Sequence, residues 1–349
     1  MEISIPTLLR IKPDTINKIG KYLRNEKLSK IALFYGEGMK SLIGEKINIS
    51  LESSEIRILF EDTISSSDIE NIFKTSFALP GITEAIVAVG GGKVIDYCKF
   101  LAFILQIPII SIPTSISNDG FSSPVSSLFV NNKRRTMKAK IPYGVIIDTN
   151  MIKNSPVKYT LSGIGDMVSK YTAIYDWKLS YKKTGEYVND FAVLISTNSI
   201  DNLVNYRNKN VEDLEFIKLL CGSLVMSGIA MEVSGSSRPA SGSEHLISHA
   251  YDKITSTPFL HGIQVGVATY AISILQNNSK QELIKLLLEE TGFFDFVRQN
   301  PLNRNEFIEA VKYAHNIKEG YYTVLSEEGS VDKLIDFINT DTYFGSFLK

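Results

Sequence analysis

The sequence EAIVAVGGGKVID, residues 84–96, contains the pattern that decides the fold. A short run of Ala, Ile and Val predicts a buried strand, and three glycines separate it from residues with helical spacing. Glycines at such a turn let a phosphate approach the backbone, where the helix N-terminus offers N–H donors and partial positive charge. The turn matches neither the GxGxxG fingerprint nor a P-loop. Phosphate binding and a tight turn without a ligand therefore both remain open.

The same alternation of strands and helices extends over the first 150 residues. Strands are predicted at 30–36, 55–60, 84–89, 107–112 and 143–148, with helices between them through about residue 46, at 67–77 and at 94–105. Short runs rich in Ile and Val, separated by helices, are typical of parallel βαβ units. Helical patterns then take over, at 161–180, 187–205, 211–232, 245–253, 261–275 and 280–290. We predict an α/β domain of nucleotide-binding type over residues 1–156 and an all-α domain over 157–349.

The composition is that of an ordinary globular chain. Of 349 residues, 44% are hydrophobic and 21% charged, and 37 basic against 38 acidic residues give a net charge of −1. These values exclude a disordered or collagen-like chain and provide no basic field for nucleic acid. The two cysteines, Cys98 and Cys221, favour a reducing cytoplasm. The start MEISIPTLLRI does not predict a signal peptide, and the longest apolar run, residues 100–112, is too short and interrupted for membrane insertion.

A loop rich in hydroxyl groups follows the predicted strand at 107–112. Residues 113–123 read PTSISNDGFSS and include one carboxylate, Asp119. Hydroxyl groups can bond a phosphate or a ribose, and open α/β sheets bind their ligands at the carboxyl ends of neighbouring strands. The loop is therefore a candidate ligand site, and an ordinary solvated loop is the alternative.

Three of the four histidines, His245, His249 and His261, lie close together in the sequence. The i, i+4 spacing of His245 and His249 puts both on one face of a helix. Neutral imidazoles suit zinc, and a catalytic zinc usually keeps three protein ligands and one open position. Asp166, in the segment SGIGD, is a candidate carboxylate ligand. An acid that simply stabilises a helix start is the alternative explanation for Asp166.

Five motifs occur in the order and spacing of a known family, namely GGGKVID, PTSISNDGFSSP, GIGDMVSKYTAIYDWKLS, SSRPASGSEHLISHAYD and HGIQVGV. Together they resemble the sn-glycerol-1-phosphate dehydrogenases, from about residue 31 to residue 267. These enzymes share a superfamily and a fold with glycerol dehydrogenase, iron-containing alcohol dehydrogenases and dehydroquinate synthase. The resemblance implies a Rossmann-like α/β domain and an all-α domain. It also implies reversible hydride transfer between NAD(P)H and dihydroxyacetone phosphate, which gives sn-glycerol 1-phosphate for phospholipid synthesis.

The resemblance assigns roles to the matching residues. The glycine turn would hold the pyrophosphate of NAD or NADP and the hydroxyl loop would line the rest of the cofactor site, through Gly90, Gly91, Gly92, Lys93, Val94, Thr114, Ser115, Ile116, Ser117 and Ser123. Asp166, His245 and His261 would bind one divalent metal, with zinc favoured. Asp119 and His249 would contact the substrate in catalysis, and His249 would supply a proton.

Further positions refine this expectation. Lys170 stands where iron-dependent relatives carry a His ligand, which leaves three ligands and favours zinc. Lys170 or Arg238 could pair with a substrate phosphate, although a surface or interdomain ion pair would equally explain Arg238. Asn118 stands where many members of the family carry His, beside Asp119. Glu37 could accept from a ribose hydroxyl and so favour NAD, or could be an ordinary acid at a helix start.

Three other functions compete with this one. A glycerol dehydrogenase would act on the unphosphorylated polyol with NAD, and a cyclase similar to dehydroquinate synthase would turn over without net consumption of NADH. A non-catalytic binding protein would leave the joint presence of Asp166 and the histidine cluster unexplained. Relatives assemble as dimers or octamers, so we expect a cytoplasmic homo-oligomer whose partner is a small polyol or polyol phosphate.

Overall fold

The computed structural model describes residues 3–131 and 133–349. Met1 and Glu2, which belong to the segment used in the signal-peptide expectation, lie outside the described residues, as does Asn132. The chain divides into two compact units between Ser155 and Pro156. The first unit contains the strands and the second unit is helical.

A parallel sheet organises the first unit. Its strands are β1 (Leu8–Lys12), β2 (Lys30–Gly36), β3 (Arg57–Ile64), β4 (Ala85–Gly90), β5 (Ile109–Pro113), β6 (Val125–Val130), β7 (Lys133–Lys138) and β8 (Gly144–Asp148). Six of them form one sheet in the order β1-β8-β5-β4-β2-β3, with every neighbouring pair parallel. Strands β4, β5 and β8 are buried throughout, as their runs of Ile and Val predict. The predicted α/β architecture is confirmed.

Among the described residues of this unit, the α-helices are α1 (Ile19–Asn25), α2 (Met39–Glu52), α3 (Ile69–Ala78), α4 (Gly92–Leu105) and α5 (Thr149–Lys153). Helix α2 buries Ile43, Ile47 and Leu51, which are spaced four residues apart and so share one face. These side chains join β2 and β4 in a hydrophobic cluster. Burial of such a face anchors the helix against the sheet.

Two parts of this unit were not predicted from the sequence. Strand β1 pairs in parallel with β8 at the edge of the sheet, and of its five residues only Leu8 is buried. Strands β6 and β7 form a separate antiparallel hairpin. Strand β7 is exposed and rich in basic residues, so it has no apolar alternation to detect.

The second unit consists of helices α6 (Val157–Val168), α7 (Lys170–Thr184), α8 (Asp190–Asn205), α9 (Leu214–Ser234), α10 (Ser243–Ile254), α11 (His261–Leu275), α12 (Gln281–Glu290), α13 (Phe293–Gln299), α14 (Arg304–Tyr313), α15 (Ser330–Thr340) and α16 (Thr342–Gly345). The prediction of a single helix over 161–180 was wrong, because the helix is interrupted at Ser169, between α6 and α7. The Ser169 hydroxyl donates to the carbonyl of Asp166 at 2.7 Å, which competes with the backbone ladder.

Helix α9 is an apolar helix of 21 residues. It is long and apolar enough to cross a membrane by length and composition alone, with a mean hydropathy of 1.7. However, 67% of its apolar window is buried inside the protein, as is usual for a core helix. It carries Cys221, which is a buried free thiol, as is Cys98.

Candidate functional site

The carboxyl edge of the parallel sheet brings the predicted cofactor residues together. Glu37 follows β2, the glycine turn joins β4 to α4, and the hydroxyl loop follows β5. The register aligns these strand ends, since Tyr35 pairs with Val89 and Gly90 pairs with Pro113. From β2 the chain proceeds to one side of the sheet and from β4 to the other. Ligand crevices of open α/β sheets form at such a reversal.

The three glycines of the turn differ in what the fold requires of them. Gly90 has a φ of +150°, and a Cβ there would lie 2.7 Å from Cγ1 of Val94, so the turn itself requires glycine. A Cβ on Gly92 would have no atom within 4 Å, and one on Gly91 would meet only Ser115 Oγ at 3.8 Å. Protein packing therefore does not explain Gly91 and Gly92. The bare N-terminus of α4 fits a ligand phosphate that approaches the backbone.

Three residues assigned to the cofactor site have buried side chains. Val94 is 1% exposed and Ile116 is fully buried. The Ser123 hydroxyl is also buried, and it lies 3.3 Å from the carbonyls of both Gly120 and Val125. Each of these side chains belongs to the interior of the unit, so the assignment of these residues to the cofactor site stays a prediction. Their backbone groups are the part that a cofactor could reach.

The remaining residues of the predicted cofactor site lie at the sheet edge. Thr114 donates its N–H to the carbonyl of Gly90 at 3.1 Å, which ties the hydroxyl loop to the glycine turn. Ser115 and Ser117 on the same loop are half-buried. Lys93 and Glu37 form an exposed ion pair of 3.4 Å between Nζ and Oε2. Both charged residues therefore stand at one edge, with solvent-facing side chains.

A buried lysine that the sequence analysis did not single out anchors the hydroxyl loop. Lys99 on α4 is fully buried, and its ammonium donates to the carbonyl of Gly120 at 2.5 Å and to that of Val125. It also pairs with Asp96 at 3.0 Å, so Asp96 compensates a buried charge. A lone lysine within the apolar run YCKFLAF was the available signal, since a buried charge requires partners.

Asp119 begins a short 3-10 turn in the hydroxyl loop and is half-buried. Asn118 caps this turn, because its side chain accepts a hydrogen bond from the N–H of Gly120 at 2.9 Å. The residue that departs from the family pattern therefore has a local structural role beside Asp119.

In the second unit, three helices bring a metal-type donor set together. Asp166 lies near the end of α6, His245 lies on α10 and His261 begins α11, with one ligand atom of each within 4.8 Å of the others. Nε2 of His245 is 3.4 Å from Oδ1 of Asp166, and the ring centres of His245 and His261 are 5.1 Å apart. One carboxylate and two imidazoles form a donor set that suits a catalytic zinc. The residues present therefore fit a divalent ion.

His249 lies beside this donor set. It is one turn after His245 on α10 and half-buried, and its ring stacks at 5.4 Å from that of His261. The i, i+4 spacing thus places His245 and His249 on one face, as predicted. The structure brings all three clustered histidines to Asp166, with His249 at the rim.

A close crossing of α6 and α11 explains why Asp166 meets His261. A Cβ on Gly165 would lie 2.0 Å from the carbonyl oxygen of Gly262, and a Cβ on Gly262 would lie 1.9 Å from that of Ser162. The two backbones are therefore in contact where each helix carries its metal-type residue. The N–H of Gly262 also donates to the Ser162 hydroxyl at 3.1 Å, which fixes the start of α11. Only glycine permits this approach.

The electrostatics of the donor set keep Asp166 ionised. Burial alone would raise the pKa of Asp166, but the Lys170 ammonium and the hydrogen bond from His245 hold it well below its usual range. Lys170 is fully buried, and its Nζ lies 3.5 Å from Oδ2 of Asp166 and 2.8 Å from the carbonyl of the same residue. Burial lowers the pKa of His245, whereas Asp166 and Glu244 raise it, to a value of about 9. Asp166 is therefore a carboxylate at neutral pH.

Two buried acids near His245 were not anticipated from the sequence, and one of them, Glu244, contacts its imidazole. Glu244 accepts from Nδ1 of His245 at 2.8 Å, from the N–H of Gly242 at 2.6 Å and from the Thr172 hydroxyl at 2.8 Å. Asp176 lies nearby, and burial together with the Glu244 charge raises its pKa to about 7. Acids in this position orient an imidazole ligand through its second nitrogen.

Arg238 belongs to a buried network within the second unit. Its guanidinium pairs with the Glu186 carboxylate, donates to the carbonyl of Tyr322 at 2.8 Å and to the Ser180 hydroxyl at 3.2 Å, and lies 3.5 Å from the ring centre of Tyr321. The residue is 1% exposed. The expectation that Arg238 pairs with a substrate phosphate was therefore wrong, since an ion pair within the unit occupies its charge.

Comparisons with known proteins add an independent line of support. The family profile of iron-containing alcohol dehydrogenases matches residues 10–156. A glycerol-1-phosphate dehydrogenase [NAD(P)+] of Pyrococcus horikoshii is 34% identical over 94% of this chain and 94% of its own, and that of Methanosphaera stadtmanae is 32% identical over 98% of each. The crystal structure of glycerol dehydrogenase from Schizosaccharomyces pombe is similar in fold, with a TM-score of 0.78, 18% identity and coverage of 99% of this chain and 93% of that one.

Proposed function

Because the chain belongs to the glycerol-1-phosphate dehydrogenase family, we propose that it reversibly transfers a hydride between NAD(P)H and dihydroxyacetone phosphate to give sn-glycerol 1-phosphate. The observation that carries the proposal is the convergence of Asp166, His245 and His261 on one point in the second unit. A dinucleotide-type sheet edge in the first unit supports the cofactor part of the proposal. The assignment of a cofactor domain and a metal and substrate domain follows from these two placements.

The cofactor half of the proposal rests on the glycine turn. Backbone N–H groups at Gly91, Gly92 and Lys93 would bond the pyrophosphate at the start of α4, where the helix adds partial positive charge. Glu37, held near Lys93, would accept from a ribose hydroxyl. The chemistry supplied by a bound dinucleotide is donation or acceptance of a hydride at the nicotinamide ring.

The metal half of the proposal rests on the donor set. Asp166, His245 and His261 would hold one divalent ion, and zinc fits three protein ligands with an open position. The chemistry supplied by such an ion is polarisation of the substrate carbonyl and stabilisation of charge on its oxygen. Lys170 occupies the space next to Asp166 with a buried ammonium rather than a fourth ligand.

The remaining roles of the chain's residues are to supply a proton, to provide charge near the metal site and to bind the substrate. His249 would hold the proton that the product hydroxyl requires, because imidazole titrates near neutrality and this ring lies at the rim of the donor set. Lys170, whose ammonium is buried and paired with Asp166, would hold this carboxylate ionised beside the donor set and would not itself reach a substrate phosphate. Asp119 would bond a substrate hydroxyl from its capped turn.

A panel of substrates tests the reaction directly. We expect NADH or NADPH oxidation with dihydroxyacetone phosphate that chelation by EDTA abolishes and zinc restores. Faster turnover of dihydroxyacetone would instead indicate glycerol dehydrogenase, and turnover without net NADH consumption would indicate a cyclase. A homo-oligomer and a cytoplasmic location remain predictions.

Two glycine variants test the cofactor half. Gly92→Ala should fold with an unchanged melting temperature, because its Cβ meets no protein atom within 4 Å. Its Kd for NADH should rise by about tenfold or more, since a methyl group would stand where a phosphate approaches the backbone. Gly81→Ala, which likewise has no atom within 4 Å and lies in the same unit, is the matched control and should bind NADH normally. Equal affinities for the two variants would place the pyrophosphate elsewhere.

A further inference from the structure

We propose that a chain of hydrogen-bonded side chains fixes the tautomer of His261, so that Nε2 of this imidazole is the nitrogen that binds the metal. The chain runs from His261 through Ser248 and Gln264 to Asp252 and is hereafter called the relay. Ser248 and Gln264 are positioning residues, because they act through His261. The inference deepens the proposed function and rests on the metal site proposed above.

The far end of the relay sets the orientation of Gln264. Its Nε2 lies 2.9 Å from Oδ1 of Asp252 and 3.3 Å from the carbonyl oxygen of Phe259. A carboxylate and a carbonyl can only accept hydrogen bonds, so the amide NH₂ must face them. Oε1 of Gln264 is therefore an acceptor and faces the opposite way, toward Ser248.

The middle of the relay sets the direction of the Ser248 hydroxyl. Its Oγ lies 2.7 Å from Oε1 of Gln264 and 3.1 Å from Nδ1 of His261. A hydroxyl has one proton to donate, and Oε1 of Gln264 offers Ser248 only lone pairs. Ser248 must therefore donate to Gln264 and present a lone pair to His261. Nδ1 of His261 then carries its proton, and Nε2 keeps a lone pair for a metal.

Burial makes this direction costly to reverse. Ser248 is fully buried and Gln264 is 1% exposed, so water cannot replace a lost partner. Reversal of the Gln264 amide would turn its NH₂ toward Ser248 and its oxygen toward Asp252 and Phe259. Buried polar groups left without a partner cost about 1–3 kcal/mol each. The relay is therefore a preorganised support for the imidazole rather than an adaptable contact.

The second imidazole of the donor set is held in the same way. Nδ1 of His245 lies 2.8 Å from Oε1 of Glu244, a carboxylate that can only accept. Nδ1 therefore carries a proton in either charge state of the imidazole, and Nε2 faces Oδ1 of Asp166 at 3.4 Å. Both imidazoles present Nε2 to one point, although one is oriented by a charged acid and the other by a neutral hydroxyl. Contacts of this kind typically change metal affinity by 10–100-fold.

Nitrogen-15 NMR of the full chain tests the tautomer without any substitution. The chain has only four histidines, so selective labelling gives a simple spectrum. We expect His261 to be protonated at Nδ1 in both the metal-free and the zinc-loaded protein, with zinc bound through Nε2. A proton on Nε2, or zinc bound through Nδ1, would overturn the relay.

Zinc affinity, measured by competition with a chromophoric chelator, tests the consequence. Ser248→Ala should raise the Kd for zinc by about 10–100-fold, and Gln264→Leu, which leaves His261 untouched, should raise it in the same direction. Ser273→Ala is the matched control, because Ser273 is an equally buried serine on α11 whose hydroxyl donates to the carbonyl of Tyr270. Its Kd should stay within about twofold of wild type, a difference below 0.5 kcal/mol.

The outcomes separate the relay from the proposed function. Wild-type protein that binds zinc tightly, together with a Ser248→Ala variant of equal affinity, would overturn the relay and leave the metal site intact. Wild-type protein that binds neither zinc nor another divalent ion, with His261 protonated at Nδ1, would overturn the proposed metal site, while the tautomer set by the relay would stand. Similar losses of melting temperature in the metal-free Ser248→Ala and Ser273→Ala variants, with zinc affinity lost only in the first, would support a positioning role.

Discussion

The contact between α6 and α11 predicts a specific penalty for one methyl group at Gly262. In Gly262→Ala the new Cβ would lie 1.9 Å from the carbonyl oxygen of Ser162, whereas real contacts of this kind are at least 3.0 Å. The two helices must therefore separate by about 1 Å. Overpacking of this kind costs about 1–3 kcal/mol. For a unit of roughly 200 residues, that cost corresponds to a fall in melting temperature of about 2–12 °C.

The same separation should weaken metal binding, because α6 carries Asp166 and α11 carries His261. Metal–ligand distances tolerate only about 0.2 Å of error, so an opening of about 1 Å should raise the Kd for zinc at least tenfold. Differential scanning calorimetry and chelator competition measure the two effects. Gly222→Ala on α9 is the control, since its Cβ has no atom within 4 Å and alanine should stabilise a helix by about 0.5–1 kcal/mol. If Gly262→Ala matches this control in both measurements, the crossing does not set the donor geometry.

Three further predictions concern buried charges. Lys99→Met should destabilise the first unit by about 3–5 kcal/mol in urea unfolding, because it leaves Asp96 without its ion pair. The same variant should bind NADH more weakly in calorimetry, and its affinity for zinc should be unchanged. Burial and the neighbouring Glu244 raise the pKa of the Asp176 carboxyl to about 7, against about 4 in the unfolded chain. Between these two pH values the folded chain therefore holds one proton more than the unfolded chain. The free energy of unfolding should consequently fall as the pH rises from 4 to 7. In the metal-free proteins, the free energy of unfolding of wild type minus that of Asp176→Asn should therefore fall as the pH rises over this range. A constant difference would contradict the raised pKa. Arg238→Lys should lower the melting temperature but leave the KM for dihydroxyacetone phosphate within about twofold, a change below 0.5 kcal/mol, whereas a large rise in KM would restore the phosphate role.

Local signals in the sequence accounted for the centre of the α/β unit. Runs of Ile and Val gave the buried strands, because strands covered on both faces must be apolar throughout. The edge strand β1 and the hairpin strand β7 lack that requirement, since most of their side chains are exposed or half-buried. They form because a neighbouring strand offers hydrogen bonds, and the pairing of Leu8 with Gly144 joins residues too distant in sequence for any local pattern to indicate.

Buried polar contacts were the part of the candidate site that sequence reasoning could not reach. Arg238 illustrates the difficulty, because its partner Glu186 lies 52 positions earlier and on a different segment. Composition alone does not distinguish an arginine that meets a substrate from one that neutralises a buried acid. The relay has the same property, since Gln264 and Ser248 become informative only when the direction of each hydrogen bond is known.

The donor set shows where a usable signal was overlooked. The spacing of His245 and His249 indicated a shared helical face, yet the geometric donor set pairs His245 with His261 and with Asp166 from a distant helix. What makes that pairing possible is glycine next to each of the latter two residues, in the sequences GIGD and HG. A glycine within a helix lowers helix propensity, and at Gly165 and Gly262 a close backbone contact accompanies this cost. Gly222 on α9 has the same cost without such a contact, so a helical glycine alone does not indicate a crossing. A glycine directly beside a candidate ligand in each of two helices is the sequence pattern that indicates one.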